Sequence, residues 1–115
     1  MQHNNFGVTY STIRFMMNVL DSRREFITYG RTNDIVFHIT FCTGNDYTFV
    51  LVAEYITSAV KVRELHIAFP EARYVVMGGK WWSATDEAYA EAEDLGIKIM
   101  RFTEFLAALR KKRMP

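Results

Sequence analysis

Two carboxylates occupy positions that neighbouring strands could bring together. Asp34 begins a predicted strand at 34–41, and Glu54 lies near the end of a predicted strand at 47–55. In an antiparallel pair the start of one strand lies beside the end of the next, so both side chains could hold Mg²⁺ through oxygen ligands. The alternative is structural, because an aspartate after Asn33 is typical of a turn and a strand-end glutamate is usually solvated.

Hydrophobic periodicity predicts the elements that would position this pair. Helical spacing of three and four residues alternates with period-two segments, and residues 47–55 are apolar on both faces, which is typical of a central strand. In order, the predicted elements are a helix at 10–24, strands at 26–29, 34–41 and 47–55, a helix ending at Pro70, a strand at 74–77, a helix ending at Gly96, a strand at 97–102 and a last helix. The expected N-caps are Ser11 or Thr12, Thr57 or Ser58, Ser83 with Asp86, and Thr103.

This order predicts an α/β fold with one mixed β-sheet flanked by helices on both faces. A hairpin followed by crossover helices makes the sheet antiparallel on one side and parallel on the other. The 115 residues contain no repeat or Pro/Gly/Ser-rich linker, so a single domain over 1–115 is expected.

The order, the spacing and the carboxylates resemble the restriction-endonuclease-like superfamily, also called PD-(D/E)xK nucleases. Residues 33–36, Asn-Asp-Ile-Val, resemble the "PD" element with Asn in place of Pro. Residues 52–56, Val-Ala-Glu-Tyr-Ile, resemble the second element with Glu54 at the acidic position. The resemblance covers roughly residues 10 to 110. It implies a nuclease acting on DNA, with Asp34 and Glu54 as ligands of Mg²⁺ or Mn²⁺.

The chain departs from the family at one catalytic position. Ile56 stands where the family has the lysine that orients the attacking water and offsets developing charge. Lys61, on the following helix, could reach back, because the superfamily tolerates relocation of this lysine. The resemblance therefore implies a metal-dependent phosphodiesterase with weakened or lost activity. The alternative is a non-catalytic protein-interaction or regulatory module on a nuclease-like or other small α/β fold, with no cofactor.

Two further segments are candidates for binding DNA or a partner. Adjacent tryptophans in a loop cannot easily both face a core, and tryptophan is enriched at interfaces and stacks on bases, although either ring could instead cover the sheet edge. The basic tail suits phosphate contact but is equally typical of a solvated helix end. These candidates are Lys80, Trp81 and Trp82, and Arg110, Lys111 and Lys112. Exposed indoles also favour a homodimer.

Composition narrows the class of protein. The formal net charge of +1 argues against a polycation that coats nucleic acid, and no apolar run is long enough to span a membrane. Cys42 is the only cysteine, which fits a reducing, cytoplasmic compartment, and we expect it to be a small buried apolar residue. His38, on the same strand face as Asp34, is expected to be a hydrogen-bonded residue rather than a ligand or base.

Overall fold

A computed structural model describes residues 6–115 of the chain. Within this range no helix is long and apolar enough to cross a membrane. The helices and strands are, in chain order, α1 (Tyr10–Asp21), β1 (Ile27–Thr32), β2 (Val36–Phe41), β3 (Asp46–Val52), β4 (Ile56–Thr57), α2 (Ala59–Ala68), β5 (Tyr74–Met77), β6 (Ser83–Ala84), α3 (Asp86–Leu95), β7 (Lys98–Met100) and α4 (Phe102–Lys111).

Five strands form one mixed sheet in the order β1-β2-β3-β5-β7. The first three strands are antiparallel neighbours, whereas β3, β5 and β7 are parallel. The mixed sheet and the antiparallel pairing of β2 with β3 confirm the prediction. The short strands β4 and β6 form a separate parallel pair that was not predicted.

One face of the sheet packs against α1 and α4. Phe49 of β3 stacks on Phe37 of β2 with ring centroids 5.0 Å apart, and it meets Phe105 of α4 at 4.9 Å. At the sheet's β1 side, the Tyr29 hydroxyl donates to Asp21 of α1 over 2.8 Å. That hydrogen bond lowers the pKa of the Asp21 carboxyl, while burial and the carboxylate raise the pKa of Tyr29.

The helices α2 and α3 pack against each other on the opposite face. Right-handed crossovers that continue in one direction, from β3 to β5 to β7, place both helices on the same side of the sheet. Val62 and Leu65 of α2 are buried. Arg63 forms two hydrogen bonds with Glu91 of α3, which lower the pKa of Glu91. The stability that this ion pair contributes is therefore fully present above the unfolded-state pKa of the Glu91 carboxyl. It is lost as the pH falls through the folded-state pKa.

The N-cap of α2 is one of the predicted residues, whereas that of α1 lies before them. Thr9, not Ser11 or Thr12, caps α1, because its side chain accepts from the Thr12 N–H. Ser58, one of the two expected residues, caps α2 by accepting from the Lys61 N–H. The first helix therefore begins at Tyr10, as predicted, although its cap precedes the expected residues.

The caps of α3 and α4 were predicted wrongly. Ser83 lies in β6, where its N–H donates to the carbonyl of Tyr55, so it is extended and Thr85 caps α3 instead. The last helix begins before Thr103, with Arg101 at the N-cap position and its N–H donating to the Glu104 carboxylate over 2.9 Å. Strand pairing of Ser83 thus moves the hydroxyl cap of α3 to Thr85, and the contact with the Glu104 carboxylate takes the place of a Thr103 cap on α4.

Candidate functional site

The two candidate carboxylates lie at the same end of the sheet. Asp34 precedes β2 by two residues, and Glu54 follows β3 by two residues. The strands are antiparallel, and the Leu51 N–H donates to the Ile35 carbonyl over 2.8 Å, so the pairing extends to this end. The two residues predicted to bind a metal therefore adjoin neighbouring strands, at one end of the sheet (called this edge below).

Lys61 of α2 contacts Glu54. Its Nζ lies 3.3 Å from Oε1 of Glu54, donates to the carbonyl of Phe6 over 2.8 Å, and lies 5.4 Å from the centre of the Phe6 ring. The Lys61 side chain is only 12% exposed, whereas that of Glu54 is 35% exposed. The ammonium group is thus fixed from two sides, and the carboxylate remains open to solvent.

Asp34 occupies a turn rather than the start of a strand, which corrects the predicted boundary. Asn33 and Asp34 both have left-handed backbone conformations, with φ of 48° and 65°, and β2 begins at Val36. Asn and Asp are the non-glycine residues that most readily adopt this conformation. The Asp34 carboxylate accepts from Arg31 over 3.3 Å, and the same guanidinium nitrogen donates to the Asp34 carbonyl. Arg31 therefore holds the turn and competes for the carboxylate.

The described residues contain no group of three or more His, Cys, Asp or Glu side chains that could hold a metal ion. A divalent ion held here by both Asp34 and Glu54 would have two carboxylates as side-chain ligands. Such a donor set fits Mg²⁺, which usually keeps several waters and is bound through one or two carboxylates together with substrate phosphates.

The Gly78–Gly79 turn lies next to Glu54, at the carboxyl end of β5. The Gly78 N–H donates to the carbonyl of Val52, the last residue of β3. A Cβ on Gly78 would come within 2.7 Å of Thr12, and one on Gly79 within 2.2 Å of the Trp82 ring. Close packing around this turn therefore favours glycine at both positions.

The adjacent tryptophans are divided between core and solvent. Trp82 packs on Gly79 and against the core, whereas Trp81 is 75% exposed. The Nζ of Lys80 lies 5.6 Å from the centre of the Trp81 ring. The expectation that at least one indole is exposed is confirmed.

We expect Gly79→Ala to destabilise the protein and expose Trp82, because the new methyl group would force the indole out of contact. Overpacking of this kind typically costs about 1–3 kcal/mol. The matched control is Gly30→Ala, since a Cβ at Gly30 meets nothing within 4 Å. Urea unfolding followed by tryptophan fluorescence measures both effects, and equal stability of the two variants would contradict the packing described.

The basic tail lies at the other end of the sheet. Lys112 is 4.2 Å from the ring centre of Phe26, which directly precedes β1. Both β1 and β3 are antiparallel to β2, so they run in the same direction. The start of β1 and the end of β3 that leads to Glu54 therefore lie at different ends of the sheet. The structure therefore does not bring Arg110 and Lys111, in the last turn of α4, to the carboxylates.

His38 and Cys42 do not contribute to the site. The His38 ring nitrogens hydrogen-bond to the hydroxyls of Thr32 and Thr48, at 3.2 and 3.0 Å, so it is a bonded surface residue as expected. Cys42 is exposed in the turn after β2, which corrects the expectation of a buried thiol. A hairpin turn leaves its side chain no core to enter.

Two contacts at this edge were missed by sequence reasoning. Arg31 lies in β1, three residues before Asp34. The hairpin turn that joins β1 to β2 was the signal that could have identified their contact. The Phe6 carbonyl is 55 residues from Lys61, and no local pattern points to it.

Comparisons with known proteins do not assign the chain to a class. No family model matches it, and neither the curated proteins nor the solved structures contain a match.

Proposed function

We propose that the protein is a nuclease-like, metal-dependent phosphodiesterase acting on DNA, with weak activity. The observation that carries the proposal is the 3.3 Å contact between Lys61 Nζ and Glu54 Oε1. It supplies an ammonium group beside the acidic motif position although Ile56 occupies the usual lysine position. The relocated lysine is thus within reach of the site that the motif requires.

The order of elements supports the family resemblance. The expected order for a restriction-endonuclease-like fold is a helix, an aspartate at the start of a strand, a hairpin into a second strand and a following helix. Here α1 comes first, Asp34 lies in the turn just before β2, a hairpin leads into β3, and α2 follows Glu54. The mixed five-stranded sheet is compatible with it. We therefore propose this superfamily for the chain.

The residues at the edge have separate proposed roles. Glu54 and, after release from Arg31, Asp34 would hold Mg²⁺ or Mn²⁺, which supplies Lewis-acid polarisation of a phosphate oxygen. Lys61 donates to the attacking water and offsets the negative charge that develops on the phosphoryl oxygens. The water oxygen bonds to phosphorus, the bond to one ester oxygen breaks, and that oxygen leaves with the proton lost by the water.

We expect Glu54→Gln to remove Mg²⁺-dependent cleavage, because an amide cannot supply the negative oxygen ligand. Single-turnover assays on labelled DNA with Mg²⁺ or Mn²⁺ measure the rate, and Glu71→Gln is the matched control at an exposed glutamate outside the site. Cleavage by Glu54→Gln at the wild-type rate would show that the site is elsewhere.

A non-catalytic interaction module is the second candidate, and one observation favours it. Several large apolar side chains on the β4 and α2 side are exposed. Among them is Ile56, which stands where the resembled family has lysine and is 53% exposed. Such side chains suit a protein interface or a homodimer. Absence of cleavage at all metal concentrations, together with a concentration-dependent dimer in light scattering, would favour this candidate.

A further inference from the structure

Two exposed aromatic side chains belong to the segments that follow β3 and β5, at the end of the sheet where Glu54 lies. Tyr55 directly follows Glu54 and is 69% exposed, and Trp81 is 75% exposed. The segments that carry them are joined, because the Ser83 N–H donates to the Tyr55 carbonyl over 3.0 Å and Ile56 pairs with Ser83. Both aromatics therefore belong to the edge that holds the Glu54–Lys61 contact.

The charged groups near these rings are few and of both signs, with the Glu54 carboxylate directly before Tyr55 and Lys80 directly before Trp81. Lys80 is exposed and its Nζ lies 5.6 Å from the Trp81 ring centre, whereas Lys61 is engaged by Glu54. The basic tail is at the opposite end of the sheet. A duplex would need many phosphate contacts for its affinity, but unpaired bases can stack on aromatic rings with few cations.

We infer that Tyr55 and Trp81 are a stacking platform for unpaired bases, so that the substrate of this edge is single-stranded or frayed DNA rather than an intact duplex. The inference rests on the proposed function, because it names the substrate class of the same site. Lys80 contacts the phosphate next to the base on Trp81. The platform would deliver the adjoining phosphodiester to Glu54 and Lys61.

A second copy of the chain is the competing occupant of these rings. Lys80 lies over the Trp81 ring, so a dimer formed through this surface would bury the cation of each copy against the other. The two separated rings therefore suit unpaired bases better than a second copy of the chain. Oligomeric state is therefore measured together with binding.

The test is fluorescence anisotropy of labelled oligothymidine and of a labelled duplex of the same length, with full-length protein in EDTA so that no cleavage occurs. We expect tighter binding of oligothymidine, about tenfold weaker binding for each of Trp81→Ala and Tyr55→Ala, and near wild-type binding for Trp81→Phe. Ile67→Ala is the matched control, because Ile67 is 74% exposed on α2 and is not part of the platform.

The outcomes separate this inference from the proposed function. Oligothymidine binding that is unchanged in Trp81→Ala and Tyr55→Ala, or equal affinity for the duplex, would overturn the platform alone. A dimer that Trp81→Ala dissociates without a change in DNA affinity would also overturn it, in favour of a second copy. Aromatic-dependent binding without cleavage in Mg²⁺ would uphold the platform and defeat the phosphodiesterase. Binding of neither probe would defeat both.

Discussion

Replacement of Lys61 by methionine is expected to slow metal-dependent DNA cleavage by at least about 100-fold, the usual effect of removing one donor from a transition state. Methionine keeps most of the side-chain volume and removes the ammonium group that lies 3.3 Å from Glu54. The fold should survive, because the loss of one hydrogen bond from a charged group to the Phe6 carbonyl costs about 1.5–3 kcal/mol, less than the stability of a typical domain. Single-turnover rates and urea unfolding of the same preparations measure the two effects.

The matched control for this prediction is Lys98→Met, at an exposed lysine that begins β7. It removes the same charge from the molecule without touching Glu54, so its cleavage rate should remain near that of the wild type. If Lys61→Met and Lys98→Met cleave equally fast, the lysine on α2 has no part in the chemistry.

The second large effect is on stability, and it concerns Phe49. This ring is fully buried between Phe37 and Phe105, at centroid distances of 5.0 and 4.9 Å. We expect Phe49→Ala to lower the free energy of unfolding by about 3–5 kcal/mol, the usual cost of truncating a buried phenylalanine. That is a large share of the roughly 5–15 kcal/mol that stabilises a typical domain.

Phe15→Ala is the control for the core prediction. Phe15 is 47% exposed and lies 5.4 Å from the Phe102 ring, so truncation leaves no closed cavity. Urea unfolding at unchanged slope should show a loss for Phe49→Ala several-fold larger than for Phe15→Ala. Similar losses would mean that β3 is not the centre of the core.

The sheet was predictable because its signal is local. Residues 36–41 alternate, β3 is apolar on both faces, and the strand at 74–77 is bounded by Gly78, so period and composition identify these three strands. The first strand was predicted at 26–29 and runs Ile27–Thr32. Ending of α3 at Gly96 was also predictable, since that residue adopts the left-handed conformation that glycine allows, with φ of 72°.

The parts that sequence missed depend on partners distant along the chain. Ser83 has capping spacing to Asp86, but pairing with Ile56 makes it a strand residue, and pairing cannot be seen in a local window. The basic tail looked suited to phosphate until the strand directions placed Lys112 beside Phe26. In contrast, Lys61 was a candidate from sequence because the resembled superfamily tolerates relocation of this lysine to the following helix.

Lys61 contacts Glu54 in the structure. Asp34, in contrast, can bind a metal ion only if its contact with Arg31 is replaced by one with the ion. The guanidinium is bound at an exposed surface, where a single ion pair contributes little, so we expect a divalent ion to displace it. The central claim is therefore that Asp34 and Glu54 bind one ion together.

Anomalous diffraction from crystals soaked in Mn²⁺ tests this claim most directly. We predict one anomalous peak within coordination distance of both carboxylates, with Asp34 turned away from Arg31, and no peak there in crystals of Glu54→Gln. Absence of density at this edge at millimolar Mn²⁺, or an ion bound by neither Asp34 nor Glu54, would contradict the account.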